Sequence, residues 1–158
     1  MIYPLEEAVE QIESYKAQGK KIVFTNGCFD MIHAGHVKYL NIAKTYGDIL
    51  VVGLNSDSSI KRIKGDKRPI VHQEQRAYVL SQLKPVDIVV IFDEDTPYNL
   101  IKAIKPDVLI KGADWSIENI VGADIVLSNG GSVNTIRFDY DTSTSKIIQK
   151  IMELYCQK

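Results

Sequence analysis

The sequence has little of what marks secreted, membrane-spanning or nucleic-acid-binding proteins. It contains two cysteines, Cys28 and Cys156, and one pair is no disulfide framework, so a reducing cytoplasm is the expected compartment. No apolar run approaches the roughly 20 residues of a membrane-spanning helix, and the first residues lack the basic-then-apolar pattern of a signal peptide. The formal net charge is −1, which offers no overall attraction to nucleic acid or an acidic membrane. We therefore expect neither as a partner, and any anion site must be local.

What the sequence does have is an alternation of short apolar runs with helical patterns. This alternation predicts a parallel sheet covered by helices. The chain has 158 residues, of which 45% are apolar and 25% charged, as in ordinary globular proteins with one sizeable core. We therefore predict an α/β fold: a single Rossmann-like, doubly wound domain over residues 1–158, in which residues 1–19 form a helix that precedes the core.

The expected order of elements places several polar clusters at one edge of that sheet. Strands are expected at 21–25, 48–54, 87–92, 107–110 and 133–138. Helices are expected at 4–18, 35–46, 73–83, 96–104 and 143–154, while 121–128 fits either a short helix or a strand. Basic residues crowd the segment 61–69, whose composition predicts a loop. Ligands of such folds bind at the carboxyl ends of the strands, where the polar clusters fall: 26–36, 55–57, 111–115 and 139–145.

Two histidines and a glycine at the start of the second helix form the first candidate site. His33 and His36 are three residues apart, so both project from one face of a helix. Gly35 between them lets a phosphate approach the backbone, and the amides at that helix end add positive potential. Two imidazoles and oriented amides suit a triphosphate and the charge that develops on it during transfer. Taken alone, the pair also fits surface residues or part of a zinc site completed by His72 and the cysteines.

The residues around the histidines carry a family resemblance. The sequence Thr-Asn-Gly-Cys-Phe-Asp at 25–30, followed by His-Ala-Gly-His at 33–36, resembles the signature of the cytidylyltransferase-like HxGH nucleotidyltransferase superfamily. The resemblance runs from about residue 20 to residue 151 and includes an ordered series of segments: 55–57, 64–69, 74–76, 94–97, 106–112 and 143–147. It implies an enzyme that joins a nucleoside triphosphate to a phosphorylated small molecule and releases pyrophosphate.

Within that superfamily the sequence is similar to the D-glycero-β-D-manno-heptose 1-phosphate adenylyltransferases. These enzymes make ADP-heptose for lipopolysaccharide or related surface glycans, and often form the C-terminal half of a bifunctional protein with a sugar kinase. The chain has no room for the kinase half, so the stand-alone form is expected. One departure is Ala-Asp-Trp at 113–115, which resembles the glycerol-3-phosphate cytidylyltransferases and leaves the base and the acceptor open. Trp115 suits core or lid packing better than stacking on the base.

The resemblance also implies roles for individual residues. Catalytic roles fall to His33, His36 and Lys64. Nucleotide binding falls to Cys28, Phe29, His33, Gly35, His36, Lys67, Lys111, Gly112, Asp139, Ser143, Thr144 and Ser145. Acceptor binding falls to Asp30, Asn55, Asp57, Lys64, Arg68, Arg76, Glu94, Thr96 and Asp114. Mg²⁺ is expected on the triphosphate, held by substrate oxygens and water rather than by protein ligands. Family members are often dimers, so a homodimer is expected.

Some of these residues have a structural interpretation as well. Arg76 could pair with a neighbouring acid such as Glu74 instead of binding phosphate. Asp30 could orient its loop, bind through a metal, or cap the helix that follows. Lys111 could form a surface pair with Asp114. Phe29 is expected to pack beneath the site, and an ordinary cap of the last helix needs only its first serine.

Three functions remain open from the sequence. The favoured one is an adenylyltransferase that takes ATP and the heptose 1-phosphate. The second has the same chemistry but uses CTP with glycerol 3-phosphate or a similar alcohol phosphate. The third is a nucleotide-binding regulatory domain without turnover, which the intact histidine pair and the Ser-Thr-Ser segment at 143–145 disfavour.

Overall fold

The computed structural model describes residues 1–114, 116–137 and 141–156. At its centre is a parallel sheet of five strands: β1 (Ile22–Gly27), β2 (Ile49–Asn55), β3 (Ile88–Phe92), β4 (Val108–Gly112) and β5 (Ser132–Ile136). Their order is β3-β2-β1-β4-β5, so the chain winds outward from β1 in one direction and then in the other. This confirms the doubly wound α/β fold. It also makes the carboxyl end of β1 the switch point, where ligands bind in such sheets.

Seven helices surround the sheet in the part of the chain that the structure describes. They are α1 (Leu5–Ala17), α2 (Ala34–Lys44), α3 (Asp57–Lys64), α4 (Gln73–Ser81), α5 (Tyr98–Ile104), α6 (Ala123–Ser128) and α7 (Thr144–Tyr155), with one 3₁₀ turn at Ile117–Asn119. The five expected strands and five expected helices are present, with ends that differ by about two residues at most. The ambiguous segment 121–128 forms helix α6.

The sheet separates two apolar layers because successive residues of a strand face opposite sides. On one side, Phe24 packs in a cluster that includes Ile12 of α1 and Leu100 of α5. On the other side, Val23 packs in a cluster that includes Leu40 of α2 and helix α4. With helices on both faces, the central strands are buried on both sides, which explains why they appear in the sequence as nearly continuous apolar runs.

The basic segment 61–69 is not a loop throughout, so that expectation was wrong. Its first four residues complete helix α3, and Lys64 is the last residue of the helix. Ser56 caps the helix by accepting a hydrogen bond from the amide three residues on, Ile60 is fully buried, and the basic side chains lie at the negative end of the helix dipole. The helix ends at Gly65, whose φ of +92° suits glycine. The density of charge hid these helix signals.

Some expectations fall on residues outside the described ranges. They concern Trp115, Asp139 and the end of the last expected strand at Phe138. Within the described ranges, no helix combines the length and apolar character needed to cross a membrane.

Candidate functional site

A cavity of about 170 Å³ opens at the carboxyl end of β1. It is lined by Asn26, Gly27, Cys28, Phe29, Asp30, His36, Tyr39, Lys64, Arg68, Lys111, Gly112 and Thr144. These residues come from β1 and the loop after it, from α2, from the end of α3 and its loop, from β4 and from the start of α7. Three lining residues are cationic and one is a carboxylate, so the cavity suits a ligand that carries several negative charges.

The histidine pair is held in place by the backbone at the start of α2. His33 is the N-cap, and its Nδ1 accepts a hydrogen bond from the amide of Gly35 at 3.1 Å. The amide of His33 in turn donates to Nδ1 of His36 at 3.4 Å. The two rings stack with centroids 3.8 Å apart, as expected for side chains on one helix face. A Cβ at Gly35 would lie 3.0 Å from the His33 ring, so glycine is needed for this arrangement.

These contacts fix the protonation of both rings. An imidazole whose Nδ1 accepts a hydrogen bond carries its proton on Nε2 when neutral. Burial lowers the pKa of His36 to about 4, helped by the positive charge of Lys64 and by His33, and burial also lowers the pKa of His33. Both rings are therefore neutral at pH 7, and each keeps one Nε2–H to donate. Two of the helix-end amides expected to face a phosphate are already bonded to the imidazoles.

The loop after β1 folds back beneath the histidines. Phe29 has a φ of +46° and Met31 a φ of +55°, a backbone region that non-glycine residues rarely adopt and that concentrates at functional sites. Phe29 is 6% exposed, and its ring centroid lies 5.3 Å from that of His36. A Cβ at Gly27 would lie 3.0 Å from the Phe29 ring. Phe29 thus packs beneath the site, as expected.

Asp30 organises the basic loop through its carboxylate. Its side chain is 1% exposed and accepts hydrogen bonds from Nε of Arg68 at 2.8 Å and from the amides of Ile70 and Val71 at 2.8 and 2.9 Å. Burial alone would raise the pKa of this carboxyl, but these three donors hold it below its usual value. Of the roles expected for Asp30, orientation of the loop is the one that these contacts show, and metal or acceptor contact stays a prediction. Arg68 is thereby fixed at the cavity wall.

Arg76 is likewise held by hydrogen bonds within the protein. The side chain is 1% exposed and donates to the carbonyl oxygens of Val71, Cys28 and Asn55 at 2.7 to 2.9 Å. It also pairs with Asp57 at 2.8 Å. The structure shows the alternative given for Arg76, an ion pair with a neighbouring acid, while its contact with substrate stays a prediction. Asn55 and Asp57 belong to the same buried network, which joins the ends of β1 and β2.

The remaining predicted residues divide into two groups. Lys64, Lys111, Gly112 and Thr144 reach the cavity, and burial lowers the pKa of Lys111. Thr144 also donates from Oγ1 to the carbonyl oxygen of Asp30 at 2.6 Å. The structure does not place the others in the cavity lining: Lys67, Glu94, Thr96, Asp114, Ser143 and Ser145. His33 is also absent from that lining, although its ring stacks on His36. Ser143 caps α7 by accepting a hydrogen bond from the amide of Lys146 at 3.1 Å.

Two residues of the cavity were missed from the sequence. Tyr39 is buried, its hydroxyl lies 2.7 Å from Oγ1 of Thr25 and donates to the carbonyl oxygen of Ile110 at 3.2 Å, and burial raises its pKa. Its spacing of three from His36 is the signal that could have placed it on the same helix face. Asn26 was included in the expected polar cluster 26–36 and in a turn, but no role of its own was assigned to it.

The described residues offer no cluster of ligands for a protein-bound metal. Within residues 1–114, 116–137 and 141–156, no group of three or more histidine, cysteine or acidic side chains is placed to hold one. His72, the third leg of the zinc alternative, instead lies 3.2 Å from Asp57. The zinc interpretation of the histidine pair therefore has no support among these residues.

The sequence is similar to curated proteins of known family. The model of the cytidylyltransferase-like family matches residues 24–150. Over 144 residues the chain is 57% identical to the bifunctional protein HldE of Geobacter metallireducens and 54% identical to that of Geobacter sulfurreducens. Each alignment covers 91% of this chain and 29% of the relative. The chain therefore spans less than a third of the length of these relatives.

Two solved structures share the fold. The lipopolysaccharide core biosynthesis protein of Thermoplasma volcanium is 31% identical, with a TM-score of 0.62 over 78% of this chain and 100% of that one. The pantoate-beta-alanine ligase of Francisella tularensis, complexed with beta-gamma ATP and beta-alanine, is 15% identical, with a TM-score of 0.60 over 100% of this chain and 80% of that one. At that identity the second likeness concerns the fold alone.

Proposed function

The chain belongs to the cytidylyltransferase-like family, and we propose that it transfers AMP from ATP to D-glycero-β-D-manno-heptose 1-phosphate, releasing pyrophosphate. The observation that carries the proposal is the convergence of His36, whose ring stacks on that of His33, with three cationic side chains at one cavity. These cations are Lys64, Arg68 and Lys111. A triphosphate and a sugar phosphate together bring several negative charges, and such a cluster is what can hold them side by side.

The neutral imidazoles have a defined task in this reaction. With Nδ1 of each ring bonded to backbone, the Nε2–H groups of His33 and His36 are available to phosphate oxygens. Donors that are already oriented in a partly desolvated site stabilise developing charge without reorganising. The ring of Phe29 beneath His36 limits how far that donor can shift.

Transfer then needs positioning and charge neutralisation, but no general base. An oxygen of the acceptor phosphate attacks the α-phosphorus of ATP in line, a new P–O bond forms, and the bond to the β-phosphate oxygen breaks as pyrophosphate leaves. The attacking oxygen is already anionic near neutral pH, so no proton has to be removed. Lys64 and Arg68 counter the repulsion between the two anions, and Thr144 ties α7 to the loop after β1 through the carbonyl oxygen of Asp30.

Magnesium belongs to the substrate in this proposal. The carboxylate in the cavity, Asp30, accepts three hydrogen bonds from the protein, and the other polar lining groups are mainly donors. Such a site fits the phosphates of a magnesium–ATP complex better than it fits a bare cation. Mg²⁺ keeps several waters and binds through phosphate oxygens, as it does in many nucleotide sites.

The likeness to HldE proteins and to a lipopolysaccharide core biosynthesis protein supports the heptose acceptor and, with it, ATP. The CTP-dependent alternative depends on the segment 113–115 alone. We further propose that the enzyme acts in the cytoplasm, where ATP is available, and as a homodimer. Apolar side chains of α7 such as Met152 and Leu154 are exposed and offer a surface for that contact.

The decisive experiment is a pyrophosphate-release assay with Mg²⁺. It crosses ATP, CTP, GTP and UTP with the heptose 1-phosphate, glycerol 3-phosphate and phosphocholine. We expect turnover with ATP and the heptose 1-phosphate. Turnover only with CTP and glycerol 3-phosphate would replace the proposal by the second candidate. Absence of turnover with every pair would leave a nucleotide-binding domain.

A further inference from the structure

Asn26 is the cavity residue whose hydrogen bonding is incomplete. It lies near the carboxyl end of β1 and lines the cavity. Its Oδ1 is the one buried side-chain nitrogen or oxygen, within the described part of the chain, that has no hydrogen-bond partner. A buried acceptor without a donor costs free energy, so a group from outside the protein chain is expected to supply the missing hydrogen bond.

The side chain of Asn26 lies on the other side of β1 from the histidines. Thr25 faces α2 and contacts Tyr39 of that helix, so its neighbour Asn26 faces the opposite side. A Cβ at Gly53 of β2 would lie 3.3 Å from Cβ of Asn26 and 3.0 Å from Cδ2 of Leu100 on α5. Asn26 is thus packed between β2 and α5, and Gly53 leaves the room that it needs.

This position is on the α5 side of the cavity, whereas the histidine pair is at the start of α2, across the end of β1. In the proposed reaction the histidines hold the triphosphate. The α5 side of the cavity, with Asn26, is then the space left for the sugar phosphate.

The chemistry of the amide limits what it binds. A carbonyl oxygen accepts hydrogen bonds and repels the unprotonated oxygens of a phosphate, so its partner is a hydroxyl or amine donor. The phosphates have Lys64, Arg68 and Lys111 around them. The terminal amide torsion of asparagine is soft, so its oxygen turns towards the cavity without repacking the strand.

We propose that Asn26 selects the acceptor by taking a hydrogen bond from a hydroxyl group of the sugar phosphate. The assignment depends on the proposed function, since the sugar phosphate is the acceptor of that reaction. It makes Asn26 a residue that determines specificity, and it explains why the oxygen has no donor within the protein.

The test separates acceptor binding from nucleotide binding. Asn26→Leu keeps the approximate shape and removes both polar groups, and Asn26→Ala serves if the leucine variant does not fold. We expect kcat/KM for the heptose 1-phosphate to fall roughly 10- to 100-fold while KM for ATP changes less than about 2-fold. The midpoint of thermal unfolding should change little, because no protein hydrogen bond is lost. The control is Asn41→Ala, an exposed asparagine of α2.

Deoxy analogues of the acceptor identify the hydrogen bond itself. Each analogue lacks one hydroxyl, and one of them should lose roughly 10-fold in kcat/KM with the wild-type enzyme and nothing further with Asn26→Leu. Asn26→Asp keeps an acceptor oxygen and should keep that sensitivity even if its turnover is lower.

The outcomes of these experiments distinguish the role of Asn26 from the proposed function of the enzyme. Wild-type turnover combined with an unchanged acceptor kcat/KM in Asn26→Leu overturns the role of Asn26 and leaves the proposed function standing. Equal losses for ATP and acceptor, with a large drop in thermal stability, mean that Asn26 is structural and also overturn it. A wild-type enzyme without turnover overturns the proposed function, and the role of Asn26 with it.

Discussion

The two ends of the sheet both collect basic residues, but they are built differently. At the amino end, a depression of about 630 Å³ is lined by Lys16, Gly19, Lys20, Lys21, Asp107, Gly130, Gly131 and Ser132. At the carboxyl end, the cavity measures about 170 Å³. The larger space has the higher density of lysine, yet it contains no histidine and no orphaned acceptor among its described residues.

The polar groups at the amino end complete the backbone bonding of the strands. Oδ2 of Asp107 accepts from the amide of Ile22 at 2.7 Å, and Lys16 donates to the carbonyl oxygen of Ile104 at 2.7 Å. At the carboxyl end, burial lowers the pKa of His36 and Lys111. Perturbed groups in a cleft mark functional sites more reliably than charge alone. The carboxyl end therefore differs from the amino end in the burial and convergence of its titratable side chains, and not in its lysine content.

The largest expected effect is on kcat, which should fall for variants at the carboxyl end of the sheet and not for a variant at the amino end. His36→Ala removes an oriented Nε2–H donor and should lower kcat roughly 10²- to 10³-fold, with a much smaller change in KM for ATP. His33→Ala should act in the same direction, since the two rings stack. Steady-state pyrophosphate release measures both. Lys20→Ala at the amino end is the matched control and should keep full turnover; full turnover in both histidine variants would remove the assignment of the site.

The next effect concerns stability. Arg76→Met leaves Asp57 without its buried partner, so the free energy of unfolding should fall by about 3–5 kcal/mol. Asp107→Asn at the amino end alters an exposed carboxylate and should cost about 1 kcal/mol or less. Urea denaturation followed by circular dichroism compares the two. If the free energy of unfolding falls by the same small amount in both variants, the Arg76 network does not stabilise the fold more than the Asp107 contact does.

A third pair of variants replaces one lysine at each end of the sheet. Lys111→Met keeps much of the side-chain length but removes a charge at the cavity, and KM for ATP should rise roughly 10-fold because a phosphate contact is lost. Lys16→Met removes the lysine that is bonded to the Ile104 carbonyl, and KM should stay within about 2-fold. Steady-state kinetics at varied ATP concentration measure KM for both variants. A rise in KM with Lys16→Met would point to the wrong end of the sheet.

The smallest effect is the dependence of stability on pH. The pKa of His36 is about 4 in the folded protein, against 6.5 for an ordinary histidine, so between those values the unfolded chain binds a proton that the folded one does not. Stability is therefore lost as pH falls from about 6.5 to 4, by about 1–2 kcal/mol after allowing for partial exposure. The lowered pKa of Asp30 acts in the same direction at still lower pH. His36→Gln should flatten the profile between pH 6.5 and 4 in urea titrations, and an unchanged profile would contradict the neutral, buried histidine.

The sequence predicted those parts of the molecule that depend on local pattern. Five apolar runs became five strands, because buried parallel strands have apolar side chains on both faces. Helix α3 was missed because its signals, the Ser56 cap and one buried isoleucine, lie among charged residues. Local pattern also placed His36 and Lys111 at one end of the sheet, whereas Lys64 and Arg68 were assigned to the site by the family resemblance.

Long-range contacts decided the rest. No local pattern predicts that Arg76 donates hydrogen bonds to the carbonyl oxygens of Cys28 and Asn55. Nor does one predict that the carboxylate of Asp30 accepts a hydrogen bond from Arg68. The proposed role of Asn26 depends on an acceptor that has no donor among the described residues, which only the assembled structure reveals. Such side chains look like substrate ligands in the sequence because buried polar networks and substrate sites use the same residue types.

A crystal structure with Mg²⁺ and α,β-methylene-ATP tests most directly which end of the sheet is the active site. The expected result is a triphosphate at the carboxyl end of β1, with phosphate oxygens within about 3.2 Å of Nε2 of His36 and near Lys64 and Arg68. A triphosphate bound instead among Lys16, Lys20 and Lys21 at the amino end would contradict the account.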